Sequence, residues 1–406
     1  MSTATFAYKV RDRDGKLRSG SLQAATETQV ATKLKAMGYS PLSITAANTG
    51  LQREVKLPSI GKKVKLKELA VFSRQFATMI NSGLSLLRAL TILVEQTDNK
   101  KLQQALSEVR TDVETGSSLS GALARQPAFF PPLMVNMTKA GEVGGFLDLV
   151  LMQIAANYEA EVKLRGKIKA AMTYPAVVFV MAIVAVIGML IFIVPVFAGL
   201  FAGFDAQLPA PTRFLVFLSG VAKWAAPLGL VALIALVFTW PKIKNTPRVR
   251  NTLDPLKLKA PVFGPLAQKV ALSRFARNLG TMMQSGVPIL QSLDIVADTT
   301  GNVVLERAIR DVQNSVRQGE ALAKPLENHW VFPPMVVQMM SVGEDTGALD
   351  TMLHKISEFY DQEVEATTEA LTALIEPLMI AFLGAVIGSM IVALYMPIFS
   401  LMNVIK

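Results

Sequence analysis

Two stretches of this chain, Ala171–Phe197 and Leu378–Phe399, contain no charged residue, and a third, Phe214–Trp240, contains only Lys223. A helix needs roughly 20 apolar residues to cross the hydrocarbon core of a bilayer, so each stretch is long enough to span it. Uncharged runs of this length exceed what a buried helix of a soluble domain ordinarily uses. The composition agrees: 51% of the residues are hydrophobic and 18% are charged, against about 25% charged in an average soluble domain. Lys223 can snorkel to the outer interface beside Trp224, leaving Trp240 as the anchor at the other end.

Lysine and arginine asymmetry sets the orientation. Lys163, Arg165, Lys167 and Lys169 precede the first span, and Lys242, Lys244, Arg248, Arg250, Lys257 and Lys259 follow the second. The connection between them, Gly199–Thr212, carries Asp205 and no basic residue. Both basic flanks are therefore expected in the cytoplasm, which puts the N-terminus inside and Val404–Lys406 outside. Met1–Lys16 is polar and lacks the apolar core of a signal peptide.

The chain also contains itself twice. Phe72–Gly83 (FSRQFATMINSG) matches Phe275–Gly286 (FARNLGTMMQSG) at an offset of 203 residues. Glu142–Asp148 (EVGGFLD) matches Glu344–Asp350 (EDTGALD) at an offset of 202, which also pairs Tyr158 with Tyr360, Pro175 with Pro377 and Pro195 with Pro397. One residue of slippage falls between Leu326 and Phe332. Each repeat is thus a soluble domain running into a membrane helix, and the second span returns the chain to the side on which it began.

Within each repeat the apolar positions recur at helical spacing, as at Phe72, Phe76, Met79, Ile80, Leu86, Leu87, Leu90 and Leu93. Lys101–Glu114 and Val303–Arg317 are amphipathic and end near Gly116 and Gly319. About six helices per repeat are expected, packed as antiparallel bundles. The first 50 residues differ: Thr5–Val10 alternates like a strand, Asp14-Gly15 suits a hairpin turn, and Leu17–Leu22 returns. Thr26–Met37 fits a helix stopped by Gly38, and Pro41–Ile44 a further strand.

The expected fold is mainly α, an integral membrane protein with three transmembrane helices, two homologous cytoplasmic helical bundles and a small N-terminal α/β module. The divisions are the module at 1–48, a basic linker at 49–66, the first repeat at 67–170, the first span at 171–198, an outer loop at 199–212 and the second span at 213–240. A basic cytoplasmic linker follows at 241–268, then the second repeat at 269–372, the third span at 373–400 and an outer tail at 401–406.

Catalytic constellations are not found in the sequence. There is no cysteine, the two histidines are His329 and His354, and neither G-x-x-x-x-G-K-[ST] nor G-x-G-x-x-G occurs. No cofactor or metal is expected. Asp12–Gly15 resembles a fragment of a calcium loop but lacks the closing glutamate, and a turn explains it better. Gly116–Gly121 misses the nucleophile-elbow spacing by one position. The formal charge is +10, and the basic run Arg53, Lys56, Lys62, Lys63, Lys65 and Lys67 has no interleaved aromatics, so anionic lipid or plain solvent suits it better than nucleic acid.

The sharpest soluble features are Gly141-Glu142…Gly145…Leu147-Asp148 and Gly343-Glu344…Gly347…Leu349-Asp350. Their glycines suit a tight turn between helices, and the following aspartates suit the positive end of the next helix dipole. Docking a partner is the other reading. Glu376-Pro377 stands at the cytoplasmic entry of the third span, where an ionisable residue is a functional candidate by default. Gly384 and Gly388 form a G-x-x-x-G that allows close helix packing, more in keeping with contacts inside the chain than with a dimer seam.

Three spans, two homologous helical domains and the repeated Arg-x-x-x-Thr-Met-x-x-Ser-Gly, Gly-Glu-x-x-Gly-x-Leu-Asp and Tyr-Pro/Glu-Pro signatures resemble the GspF/PilC family. These are inner-membrane platform proteins of type II secretion and type IV pilus machines. Phe6, Tyr8, Asp12, Gly15 and Gly20 extend the likeness to the N-terminal module. The resemblance implies a non-enzymatic protein of the bacterial inner membrane, its loop and C-terminal tail periplasmic. It implies an oligomer that touches a hexameric cytoplasmic ATPase, other inner-membrane assembly proteins and the pilins or pseudopilins being lifted from the membrane. By position Glu142, Gly145, Asp148, Glu344, Gly347, Asp350, Pro175, Glu376 and Pro377 match the family motifs, as structural or coupling residues. The rival functions are a permease subunit, for which Lys223 and Glu376 supply almost no polar pathway, and a membrane-bound enzyme, for which the constellation is missing.

Overall fold

Alternating residues in the first segment pair into a sheet. In the computed structural model, which describes residues 4–11, 17–24, 26–36, 39–46, 64–202, 209–243 and 246–404, strand β1 (Ala4–Arg11) lies between β2 (Leu17–Ala24) and β3 (Ser40–Ala46), antiparallel to both. A register shift at Lys9/Val10 interrupts the β1–β3 ladder. Helix α1 (Glu27–Ala36) supplies Val30 and Leu34, which pack with Val10 and Ala24 into the core of this module. The expected hairpin turn at Asp14-Gly15 and most of the basic linker, Arg53–Lys63, lie outside the described residues.

The first repeat comprises α2 (Leu66–Asn81), α3 (Leu86–Gln96), α4 (Lys100–Glu114), the short α5 (Leu119–Ala124), α6 (Pro132–Gly144) and the long α7 (Leu147–Gly188). Several of its helix starts are capped. Asn99 accepts from the amides of Lys101 and Leu102, Ser118 accepts from that of Gly121, and prolines open α6 where no amide donor is needed. Gly116–Gly121, which misses the nucleophile-elbow spacing, is this capped turn.

Helix α7 runs on through one wide π-turn (Met189–Ile193) into α8 (Val194–Ala202). The π-turn has a cause. Pro195 has no amide, and its ring would crowd the carbonyl four residues earlier, so the helix widens just before it and Val194 donates to Met189 instead. Helix α9 (Ala210–Ile243) is the second span. Both helices reach into the expected 199–212 loop, leaving Gly203–Leu208 outside the described residues.

The stretch expected as a basic linker, 241–268, is largely helical. It holds the end of α9, then α10 (Pro247–Lys259) and the start of α11 (Phe263–Gln284). Asp254 explains why: it is buried, pairs with Lys257 at 3.0 Å and accepts from the amide of Val303 at 3.3 Å, pinning α10 to the start of a later helix. The basic run alone reads as a linker, because the buried counter-charge of Asp254 gives no periodic signal.

The second repeat follows with α11, α12 (Ile289–Thr299), α13 (Val303–Arg317), the four-residue α14 (Ala323–Leu326), α15 (Pro334–Thr346) and α16 (Leu349–Val404), which at 56 residues runs from the soluble body to the far end of the third span. Each repeat thus has six helices. Their cores are not separate, however: buried side chains from Leu69 to Tyr360 form one continuous cluster across both repeats. Among the described residues three helices are long and apolar enough to cross a membrane, continuous with α7, α9 and α16. The spans meet through Leu190, Val194, Leu215, Met390, Ala393 and Leu394. There the buried Thr212 hydroxyl donates to the Ala393 carbonyl at 2.6 Å. Pro397, four residues on, has no amide to offer that carbonyl, so the neighbouring helix supplies the donor.

Candidate functional site

The two Gly-Glu motifs build the same corner twice. Helices α6 and α15 each end at a glycine in the left-handed region, Gly145 at φ +75° and Gly347 at φ +69°, where a side chain would be strained. One turn earlier, Gly141 and Gly343 are buried against the next helix. A Cβ on Gly141 would lie 3.0 Å from Val150 Cβ, and one on Gly343 would lie 3.0 Å from Leu349 Cα. The chain can therefore fold back sharply only with glycine there. Asp148 and Asp350 sit in the first turns of α7 and α16, as expected from the dipole argument.

The glutamates do something the sequence did not disclose. Glu142 reaches back to α5 and accepts from the amides of Leu119 at 2.5 Å and Ser120 at 3.0 Å. Glu344 does the same to α14, accepting from Leu322 at 2.7 Å and Ala323 at 3.1 Å. Each carboxylate thus caps a short helix that is too short to be stable alone. Both its oxygens face N–H donors, the reverse of the surroundings a cation requires. Among the described residues no group of three or more His, Asp or Glu could hold a metal ion. A cleft of about 500 Å³ opens beside the second corner, lined by Lys324, Phe332, Val337, Glu344 and Asp345 among others.

Between the repeats runs a polar seam that sequence reasoning missed. A stripe on α7 at four-residue spacing meets the signature helix α11. Gln153 accepts from the Ser285 hydroxyl, Asn157 donates to Asn278 Oδ1 and Thr281 Oγ1 at 3.2 Å each, and Glu161 holds Arg274 at 2.7 Å and Arg277 at 3.8 Å. Arg277 is 7% exposed and also pairs with Asp361 on α16. Burial pulls the Arg274 guanidinium below its ordinary value, while Glu161 opposes that shift. Lower down, Lys167 pairs with Glu365 at 2.5 Å, and Leu164 packs with Leu266, Val364 and Leu371. The four-residue spacing of the polar residues 153, 157 and 161 along one face of α7 was the available signal.

The membrane candidates are less gathered. Pro175 is buried within α7, whereas Glu376 and Pro377 are exposed on α16. Glu376 makes no hydrogen bond or ion pair among the described residues. The structure corrects the reading of Gly384 and Gly388 as packing positions inside the chain: a Cβ on either would meet nothing within 4 Å. The spans instead meet closer to the far end, around Met390 and Ala393.

Comparison with known proteins places these features. Residues 72–195 and 275–397, which hold both corners and the seam, each match the family described as type II secretion system protein F. Residues 3–45 match the N-terminal domain of the same family. The chain is 43% identical to a type IV pilus assembly protein PilC of Thermus thermophilus, covering 99% of each. It is 42% identical to one of Myxococcus xanthus, covering 100% of this chain and 97% of the relative. It is 31% identical to a type II secretion system protein F of Vibrio cholerae, covering 99% of this chain and all of the relative.

Proposed function

Since the chain belongs to the type II secretion system protein F family, we propose that it is the inner-membrane platform of a type IV pilus assembly machine. In that role it receives movements of a hexameric cytoplasmic ATPase and passes them to pilins being drawn from the bilayer, working as an oligomer beside other inner-membrane assembly proteins. The observation that carries this reading is the pair of joined soluble bodies, each continuing without a break into a membrane-crossing helix. Such a connection suits the transmission of force from the soluble side to the membrane. The higher identity to the pilus-assembly relatives favours the pilus over secretion, the second reading.

The basic flanks around Lys163–Lys169 and Arg248–Lys259 support a cytoplasmic N-terminus and a periplasmic C-terminus. Glu376 and Pro377, exposed at the entry of the third span, are proposed as coupling residues toward the pilin. Glu142, Glu344 and their glycines hold the bodies in shape. A solute pathway finds little support, because Lys223 is the one Asp, Glu, Lys, Arg or His within the three apolar stretches, with Glu376 just before the third.

The test is co-purification of the detergent-solubilised chain with the assembly ATPase of its host, with ATPase rate read in its presence and absence. Binding with an altered rate is expected, and absence of binding by folded protein would refute the reading. Glu376→Gln is expected to reduce piliation while the chain remains inserted and folded; wild-type piliation would remove Glu376 from the coupling path.

A further inference from the structure

The signature Arg-x-x-x-Thr-x-x-x-Ser-Gly occurs on α11 as Arg277, Thr281, Ser285 and Gly286, and on α2 as Arg74, Thr78, Ser82 and Gly83. On α11 every member is used to receive α7. Arg277 meets Glu161, Thr281 meets Asn157, Ser285 meets Gln153, and Gly286 lies against the Phe146 ring, to which a Cβ would come within 3.8 Å. On α2 the same face is open: Val71, Gln75, Thr78, Ser82 and Gly83 are all exposed, Val71 at 48%. The internal ion pair is repeated too, Arg74 with Glu159 where the second repeat has Arg277 with Asp361.

A groove of about 340 Å³ on this face is lined by Val71, Arg74, Gln75, Glu159, Val162 and Lys163. The counterpart of Val162 is Val364, which is 1% exposed and packs with Leu164 of α7. The repeats therefore join head to tail, one face of the first on a different face of the second. Among the described residues of 64–404, that arrangement leaves the receiving face of the first repeat and the donating face of the second without a partner helix. The donating face is α16, where Lys355, Phe359 and Glu363 stand at the positions of Gln153, Asn157 and Glu161. Phe359 is 40% exposed, a large apolar side chain facing outward on the soluble body.

We infer that the α2 face of the first repeat is the docking site for a second copy of this chain, which presents α16 through Lys355, Phe359 and Glu363. The occupant follows from continuity with the seam inside the chain. Glu363, which within its own chain pairs with Lys269 at 2.7 Å, is placed to meet Arg74, as Glu161 meets Arg277 while also paired with Arg165. Phe359 is placed to cover Gln75 and Thr78, as Asn157 meets Asn278 and Thr281. The geometry of the membrane permits it. Helices α7 and α16 run side by side in one direction, Leu164 against Val364 and Leu371 at one level and Leu190 and Val194 against Met390 and Leu394 at the other. Repeating the step that relates the two repeats keeps the next copy the same way up in the same bilayer. A head-to-tail contact of this kind closes into a ring or extends indefinitely. The inference rests on the oligomeric part of the reading above and names its surface.

The chain has no cysteine, so engineered pairs report cleanly. Full-length Thr78→Cys and Phe359→Cys chains carrying different tags are co-expressed and oxidised in the membrane, with the double variant Asn157→Cys/Thr281→Cys as the positive control within one chain. A mixed-tag dimer that neither single variant yields is expected. No mixed dimer while the control forms would overturn the inference, and so would a Thr78→Cys homodimer, which marks a two-fold contact instead. Protection of Thr78→Cys from maleimide that disappears on deleting residues 1–46, or that requires the ATPase, would assign the face to that occupant and overturn the inference as well. Val71→Glu, an exposed change, is expected to lose the oligomer by light scattering; unchanged mass would again refute it. Piliation and ATPase binding scored on the unsubstituted chain decide the platform reading separately, so the two fail independently.

Discussion

Replacing Glu142 by alanine tests whether the duplicated corner holds its short helix through the carboxylate. The side chain accepts two backbone amides, at 2.5 and 3.0 Å, from the start of a six-residue helix. A hydrogen bond to a charged group contributes about 1.5–3 kcal/mol net when its partner is otherwise desolvated. Glu142 is only half-buried, so water replaces part of what is lost, and the expected cost is about 2 kcal/mol, the upper part of the range for helix caps. At about 1.4 kcal/mol per tenfold change, local opening of α5 becomes roughly 30-fold more frequent. Amide hydrogen exchange of the full chain reads this directly in a peptide covering Ser117–Ala124. Glu142→Gln, which keeps one acceptor oxygen, is expected to fall between alanine and wild type. Glu344→Ala provides an internal replicate, because it releases the amides of Leu322 and Ala323 in the second repeat. Wild-type exchange in both alanine variants would refute the capping account and return these glutamates to the docking alternative.

Three further outcomes are expected. Gly343→Ala forces a Cβ to 3.0 Å from Leu349 Cα and Met352 Cβ, an overpacking cost of about 1–3 kcal/mol; a lowered melting temperature is expected, whereas Gly384→Ala, with open space around it, leaves melting unchanged. Glu161→Gln strands Arg274 in the seam, whereas Arg277 keeps Asp361, and removing one partner of a buried pair costs about 3–5 kcal/mol; faster amide exchange around Arg274 on α11 is the readout, and protection equal to wild type would show that the seam does not depend on the charge. Arg74 holds the Glu159 carboxyl below the ordinary glutamate range. Because the pair is well exposed, Glu159→Gln is expected to cost under about 1 kcal/mol at neutral pH. The stabilisation is complete above the unfolded pKa and is lost as pH falls through the lowered folded value, so wild type and variant should converge in urea titrations toward acid. A gap that widens there would contradict the sign.

What the sequence disclosed and what it hid divide by the range of the interaction. The amphipathic spacing of Phe72, Phe76, Leu90 and Leu93 and the proline and glycine stops are local, and the helices form where those signals place them. The repeat offset located both corners because the duplicated glycines and aspartates stay in step. The role of Glu142 was hidden because its partners lie 22 and 23 residues upstream, at no helical period. A signal was available in the shared offset of Gly116-x-x-Leu119 and Gly319-x-x-Leu322, which repeats together with the glutamate. The seam was hidden for a different reason. Arg74 and Arg277 are identical in sequence, yet one is partly exposed and the other buried, and only the packing of the whole chain distinguishes them.

The seam also bears on how such a chain can carry movement. Helix α16, with 56 residues at 1.5 Å each, is about 84 Å long. Helix α7 and its continuation form a second rod beside it. The two rods touch near the soluble body through Leu164, Val364 and Leu371, and again near their far ends through Leu190, Val194, Met390 and Leu394. Between these levels Val177, Val180, Met181, Leu378 and Phe382 are exposed within the chain, while Pro175 is buried. At the soluble end the joint is a fan of charges in which Glu161 serves two arginines and Arg277 serves two carboxylates. Ion pairs of this kind can exchange partners over small displacements more readily than interlocked apolar side chains, which have few alternative packings. A push on one repeat relative to the other is therefore taken up first at the seam. At the far contact Thr212 of α9 ties the second span to α16 through the Ala393 carbonyl, so a tilt about that point displaces the seam end of the rods most.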